Sequence, residues 1–243
     1  MTADGWAQVV RHQLGLGRLL PLGGPRDGAW ITEDAAGSLL RRAVAPVHGV
    51  RLGTLRIALA DPERSYDPAV LPPPSALPPG PLRVSADFTA SADPTAPGAE
   101  PLPTTAARLR RALATAATER LGLKVTEVDL RVAGLLEGDR EPAVVRPDDV
   151  RPAAEPTGAE EALVATAALS VPGVLHLTDA LGRPVRIEDG RGGESVLPRR
   201  HVRVEVAVTA ERRTVDVARD VRAAVVEKLS DAPSVAVLVT AVH

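Results

Sequence analysis

The chain has 243 residues, 44% apolar and 25% charged, with 29 basic against 31 acidic side chains. That is a globular composition with no overall pull toward nucleic acid or anionic lipid. Cysteine is absent and aromatics make up only 2%, which excludes a disulfide framework, thiolate metal sites and a cysteine nucleophile.

At the N-terminus, Trp6, Val9, Val10 and Leu14 line one side of a short helix starting near Asp4, and Leu19, Leu20 and Leu22 follow. This stripe can complete a neighbouring core or meet a protein partner, and Trp6, Val10 and Trp30 are its candidate contact residues. The segment carries only Arg11 and Arg18 as cations before Leu19, too few for strong adsorption to anionic lipid. It lacks a leader pattern, and no stretch approaches the ~20 apolar residues that cross a bilayer. A soluble cytoplasmic protein is expected.

A first helix follows, with Leu39, Leu40, Ala43, Val44 and Val47 at helical spacing, Thr32 or Asp34 as its cap and Gly49 at its end. Leu55–Leu59 is a short strand, and the Pro-rich stretch 61–81 excludes regular structure. Next, Leu82, Val84, Ala86 and Phe88 alternate with Arg83, Ser85, Asp87 and Thr89, the pattern of a half-buried strand. After a second Pro-rich stretch, 91–103, Leu109, Leu113, Ala116, Ala117 and Leu121 form the buried stripe of another helix. Val128, Leu130 and Val132 close this part as a strand, and residues 137–158 have a linker composition.

The same four blocks then recur in the same order. GSLLRRAVAPVHGV (37–50) lies over EALVATAALSVPGV (161–174), and LRVSADFTA (82–90) lies over VRVEVAVTA (202–210). Residues 109–121 lie over 217–229, and 128–135 over 235–242. The second set reads as a helix through Leu163, Val164, Ala167 and Val171, a strand at Val185–Ile187, a half-buried strand of Val202, Val204, Val206 and Val208, a helix and a closing strand. The predicted fold class is α+β: two tandem two-layer units, each helix–strand–strand–helix–strand, with a three-stranded sheet and helices on one face. The closing strand of each unit should run parallel to the strand before it. The expected organisation is an N-terminal segment 1–27, a first unit 28–136, a linker 137–158 and a second unit 159–243.

These blocks resemble the alkaline shock protein / Gls general-stress family of bacterial envelope stress proteins. The resemblance is carried by Ser170-Val171-Pro172-Gly173-Val174, more loosely by Pro46-Val47-His48-Gly49-Val50, and by the Val-rich strand Val202–Val208. The helix Val217-Ala218-Arg219-Asp220-Val221, the closing strand Val235–Val239 and Ile31-Thr32-Glu33-Asp34 add to it. It covers the second unit almost completely and the first with two insertions. The resemblance implies a non-enzymatic cytoplasmic protein without a cofactor, which self-associates or is held at the inner membrane face by a membrane-anchored partner.

Catalytic patterns are missing. His12, His48, His176, His201 and His243 show no i, i+3 or i, i+4 pair, so no metal site is predicted. No serine lies in a G-x-S-x-G context, and Gly15-Leu16-Gly17-Arg18 lacks the third glycine of a phosphate loop. The alternative function is nucleic-acid binding by an arginine-bearing sheet face, with Arg56, Arg83 and Arg131 in one unit and Arg186 and Arg203 in the other. It lacks the aromatic stacking platforms of single-strand recognition, since Phe88 faces inward on this pattern. Asp87, Asp129 and Glu205 share the outer face and would offset the field.

Overall fold

A computed structural model of the chain describes residues 17–91, 100–136, 152–189 and 200–243. Among these residues, thirteen elements form an α+β fold with two mixed sheets: β1 (Leu19–Leu22), β2 (Ala29–Thr32), α1 (Glu33–Val44), β3 (Val50–Leu59), β4 (Leu82–Ser91), α2 (Leu102–Thr115), β5 (Val125–Leu136), α3 (Ala159–Leu169), β6 (Val174–Leu177), β7 (Val185–Glu188), β8 (His201–Val208), α4 (Thr214–Lys228) and β9 (Ser234–Val242). A 3-10 turn, Pro62–Arg64, opens the first Pro-rich stretch, and a π-helical turn, Ala116–Leu121, ends α2.

Local rules account for the element ends. Thr32 caps α1 by accepting the Ala35 N–H at 3.2 Å, satisfying one of the orphan donors of the first turn. Glu33 then does two jobs: its Oε1 accepts the Ile57 N–H at 2.8 Å, and its own N–H donates to the Arg18 carbonyl. One residue at the start of α1, through its main chain and its side chain, thus joins the approach to β1 to strand β3. The π-helical turn stops at Gly122, whose φ of +90° suits glycine. A Cβ there would stand 2.3 Å from Val215 Cγ1.

The smaller sheet has the order β3-β4-β5, antiparallel then parallel. In the larger sheet, β6 and β7 pair antiparallel with successive parts of β8, and β9 runs parallel to β8. Both halves therefore surround a central strand in the same way, and in both the closing strand is parallel as the sequence predicts. A small contact also recurs: the Ser91 N–H donates to the Gly49 carbonyl at 2.8 Å, and the Thr209 N–H to the Gly173 carbonyl at 2.9 Å.

Two features depart from separate three-stranded units. First, β1 and β2 form an antiparallel hairpin, and β2 pairs parallel with β9 (Ala29↔Val237, Trp30↔Leu238, Ile31↔Val239), giving a six-stranded sheet. The boundary expected after residue 27 falls inside the turn of this hairpin. Leu19–Leu22, four buried residues, form a strand of this sheet. Second, one apolar cluster runs through both halves. It joins Leu39 and Leu40 of α1, Phe88 of β4 and Leu109 and Leu113 of α2 to Val202, Val204, Val221 and Val237. Burying each such side chain contributes about 1.5–3 kcal/mol, so the halves share their main stabilising term.

Candidate interaction surfaces

The outer face of the larger sheet, away from the helices, is closed. Leu19, Trp30, Ala236 and Leu238 on this face pack with Val70, Ala76 and Leu181. The Pro-rich stretch holds its place through main-chain bonds: the Leu77 N–H donates to the Leu19 carbonyl, and the Ala69 N–H to the Pro25 carbonyl. Trp30 is 1% exposed and its Nε1–H donates to the Leu77 carbonyl at 3.3 Å. Prolines suit this cover, because their fixed φ lowers the entropy lost on ordering the loop.

Beside it, residues 178–184 between β6 and β7 strap over β8. The Thr178 N–H donates to the Glu205 carbonyl, and the Glu205 N–H to the Pro184 carbonyl. Under this strap Glu205 is 0% exposed. Its Oε1 accepts Arg203 Nη2 at 3.1 Å and its Oε2 accepts the Leu181 N–H at 2.9 Å. Burial pushes the Glu205 carboxyl up to about 7 against the lowering pull of those two donors. His201, on the same strand, has its Nδ1 2.9 Å from Ser234 Oγ, and burial lowers its pKa. The alternation of valines predicts a half-buried β8, but both faces of β8 are buried. The reason is tertiary: loops from elsewhere in the chain cover what would otherwise be its wet face.

Among the described residues, the smaller sheet is open on its corresponding face. Arg83 Nε bonds Glu127 at 2.6 Å and lies 3.4 Å from Asp129. Arg131 grips Asp87 with Nε and Nη2, at 2.8 and 3.3 Å. These cross-strand pairs flank a shallow depression of about 260 Å³, lined in part by Thr54, Arg56, Ser85 and Asp129. Among the described residues, β5 is an edge strand, with Val132 43% and Leu135 63% exposed. Arg110 of α2 donates to the Val128 carbonyl of β5 at 3.1 Å. The equivalent edge, on β9, is taken by β2.

A cleft of about 280 Å³ separates the β1–β2 turn, the end of α2 and the start of α4, lined by Gly23, Gly24, Asp27, Lys124, Arg213 and Arg219 among others. Asp27 accepts Arg219 Nε and Nη2 at 2.9 and 3.1 Å and the Gly24 N–H at 2.6 Å. Burial alone would raise its carboxyl, but these donors and the nearby Lys124 charge hold it below the usual value. Arg213 donates to the Thr118 carbonyl at 3.1 Å. The cleft's arginines are thus used to latch the hairpin and α2 onto α4.

The residues singled out in the sequence part company here. Trp30 is a core residue under the Pro-rich cover, not a contact surface, because its indole fills the gap between β2 and residues 70–77. Arg203 is 6% exposed and paired with Glu205, not presented to solvent. Arg83 is half-exposed but ion-paired. Trp6 and Val10 lie outside the described residues. No cationic face unites Arg56, Arg83, Arg131, Arg186 and Arg203: Arg203 is inside and three others have carboxylate partners. Sequence reasoning misses Glu205 as a buried acid, although a lone Glu between Val204 and Val206 was the visible signal.

Among the described residues, no three His, Asp or Glu side chains gather as a metal set, and no helix is long and apolar enough to cross a membrane. No protein-family model matches the chain, and no curated protein matches its sequence.

Proposed function

We propose that the protein is a non-catalytic cytoplasmic scaffold of the alkaline shock / Gls type, built from two copies of one helix–strand–strand–helix–strand unit and working through protein contacts. The observation that carries this reading is the unequal cover of the two sheets. The larger sheet has its outer face roofed by residues 61–81 and 178–184 and its β9 edge paired by β2. The smaller sheet keeps an open face and leaves the twelve-residue β5 as an edge among the described residues, with Val132 and Leu135 exposed. Native proteins blunt or cover such edges unless another chain uses them. The four recurring sequence blocks and the recurring strand pairings support the duplication. In this reading the partner is a protein at the inner face of the membrane or a second copy of the chain.

Affinity capture from the source organism tests it, with the intact chain compared against a Val132→Glu, Leu135→Glu variant. Partners should bind the intact chain and fall at least tenfold with the variant, while a matched thermal melt shows both folded. Partners retained equally by both proteins would contradict the reading.

A further inference from the structure

The cleft between the β1–β2 turn, the end of α2 and the start of α4 holds more positive charge than its latch uses. Its lining carries three cations, Lys124, Arg213 and Arg219, against one carboxylate, Asp27. Arg219 is fully engaged, bonding Asp27 on one side and Asp216 Oδ1 at 2.9 Å on the other. Arg213 gives one N–H to the Thr118 carbonyl, and its Nη1 lies 4.0 Å from Asp216. A guanidinium has five donors, so most of those on Arg213 remain. Lys124 is exposed, and its ammonium makes no hydrogen bond or ion pair among the described residues. It sits over the glycine turn, where a Cβ on Gly24 would stand 3.2 Å from its Nζ. The fifteen-residue α4 opens at this cleft with no side-chain cap, which leaves its first-turn N–H groups without the usual acceptor. Thr214, between the lining residues Arg213 and Val215, is buried, and its Oγ1 has no hydrogen-bond partner among the described residues.

We propose that this cleft binds a phosphate group, with Lys124 and Arg213 supplying the charge and the first turn of α4 supplying N–H donors. Its volume of about 280 Å³ has room for a phosphate or a pyrophosphate. A multiply charged anion suits it better than a carboxylate, because several oxygens can meet an ammonium, a guanidinium and helix-start amides together. The helix dipole acts in the same sense. Asp27 acts against it: the carboxylate lines the same cleft, so its removal should strengthen binding. A bound anion would join the β1–β2 turn, the end of α2 and α4, and so tighten the latch that Asp27 and Arg219 already make. The site is separate from the β5 surface and does not depend on the scaffold reading.

Lysine occurs only at positions 124 and 228, so an amine-acetylating reagent reads the site directly. In the purified full chain, inorganic pyrophosphate should slow acetylation of Lys124 and leave Lys228, at the far end of α4, unchanged. Calorimetry with pyrophosphate should show binding that K124M weakens about tenfold or more, the loss of one charge-assisted hydrogen bond. K124R should retain the binding. D27N should bind more tightly although it loses the latch, an outcome that a purely structural role for this cluster does not give. Melts without the anion confirm that each variant is folded. Phosphatidylcholine vesicles carrying phosphatidic acid form a second arm. Pyrophosphate binding without vesicle capture assigns a soluble phosphate compound, and Lys124-dependent vesicle capture assigns a lipid headgroup. No Lys124-dependent binding in either arm at millimolar pyrophosphate, equal protection of Lys124 and Lys228, or weaker binding by folded D27N would each overturn the proposal.

Discussion

Replacing Trp30 by alanine should cost about 3–5 kcal/mol of stability, the range for truncating a fully buried large aromatic. Trp30 is 1% exposed and packs with Leu19, Val70, Ala236 and Leu238. Its loss therefore empties the space between the larger sheet and the Pro-rich cover. The indole N–H to Leu77 at 3.3 Å contributes less than the packing. The variant has a second signature. Residues 61–81 are held by a few main-chain bonds and by this side chain, so chymotrypsin should cut near the exposed Tyr66 before the rest of the chain unfolds. Trp30→Phe, which keeps most of the volume, should lose less than half as much. A chemical melt read by circular dichroism, beside timed proteolysis, checks both outcomes. An unchanged midpoint with an unchanged cleavage rate would mean that Trp30 does not hold the cover.

The contribution of Glu205 to stability should fall as pH rises from about 4.5 to about 7, and Glu205→Gln should remove it. Burial raises the Glu205 carboxyl from its ordinary 4.5 to about 7, while the Leu181 N–H and Arg203 pull it down and Asp179 pushes it further up. Between those two pH values the folded chain keeps a proton that the unfolded chain has released. The stabilisation is complete below the unfolded value and is lost as pH climbs through the folded one. Across the window this amounts to about 3 kcal/mol. His201 works in the opposite sense. Burial lowers its folded pKa from 6.5, so its contribution is present above the unfolded value and lost as pH falls. The difference between wild type and the Glu205→Gln variant isolates the carboxyl, because His201 is common to both. Urea midpoints at half-unit steps from pH 4.5 to 8 give the comparison. Parallel pH profiles for the two proteins would contradict the assignment.

Much of the fold is legible in the sequence where the controlling forces are local. The Thr32 cap, the alternation along Leu82–Ala90 and the stripe Leu109, Leu113, Leu121 all reflect neighbours within a few residues. The order of the four blocks anticipates the shared strand pairing of the two halves. What stays hidden is set by partners far along the chain. Leu19–Leu22 has no alternation of its own to mark a strand, since all four residues are buried once β2 and residues 76–77 lie beside them. Arg203 and Glu205 look like wet-face charges until residues 178–184 cover them. The same distance explains Trp30, whose cover begins about forty residues later in the chain. The candidate surface was legible in part. Arg83 and Arg131 were visible as face residues, but only the paired carboxylates Glu127 and Asp87 show that their charge is already balanced.

The β5 edge should be open in a single chain and become covered on association. Amide hydrogen exchange measures this directly. In dilute protein, the Val128, Leu130 and Val132 amides should exchange far faster than those of Val235, Val237 and Val239 in β9. Their protection should then rise as the protein is concentrated or a captured partner is added. Protection of the β5 amides equal to that of β9 at every dilution would contradict this, because the edge would then be covered within one chain.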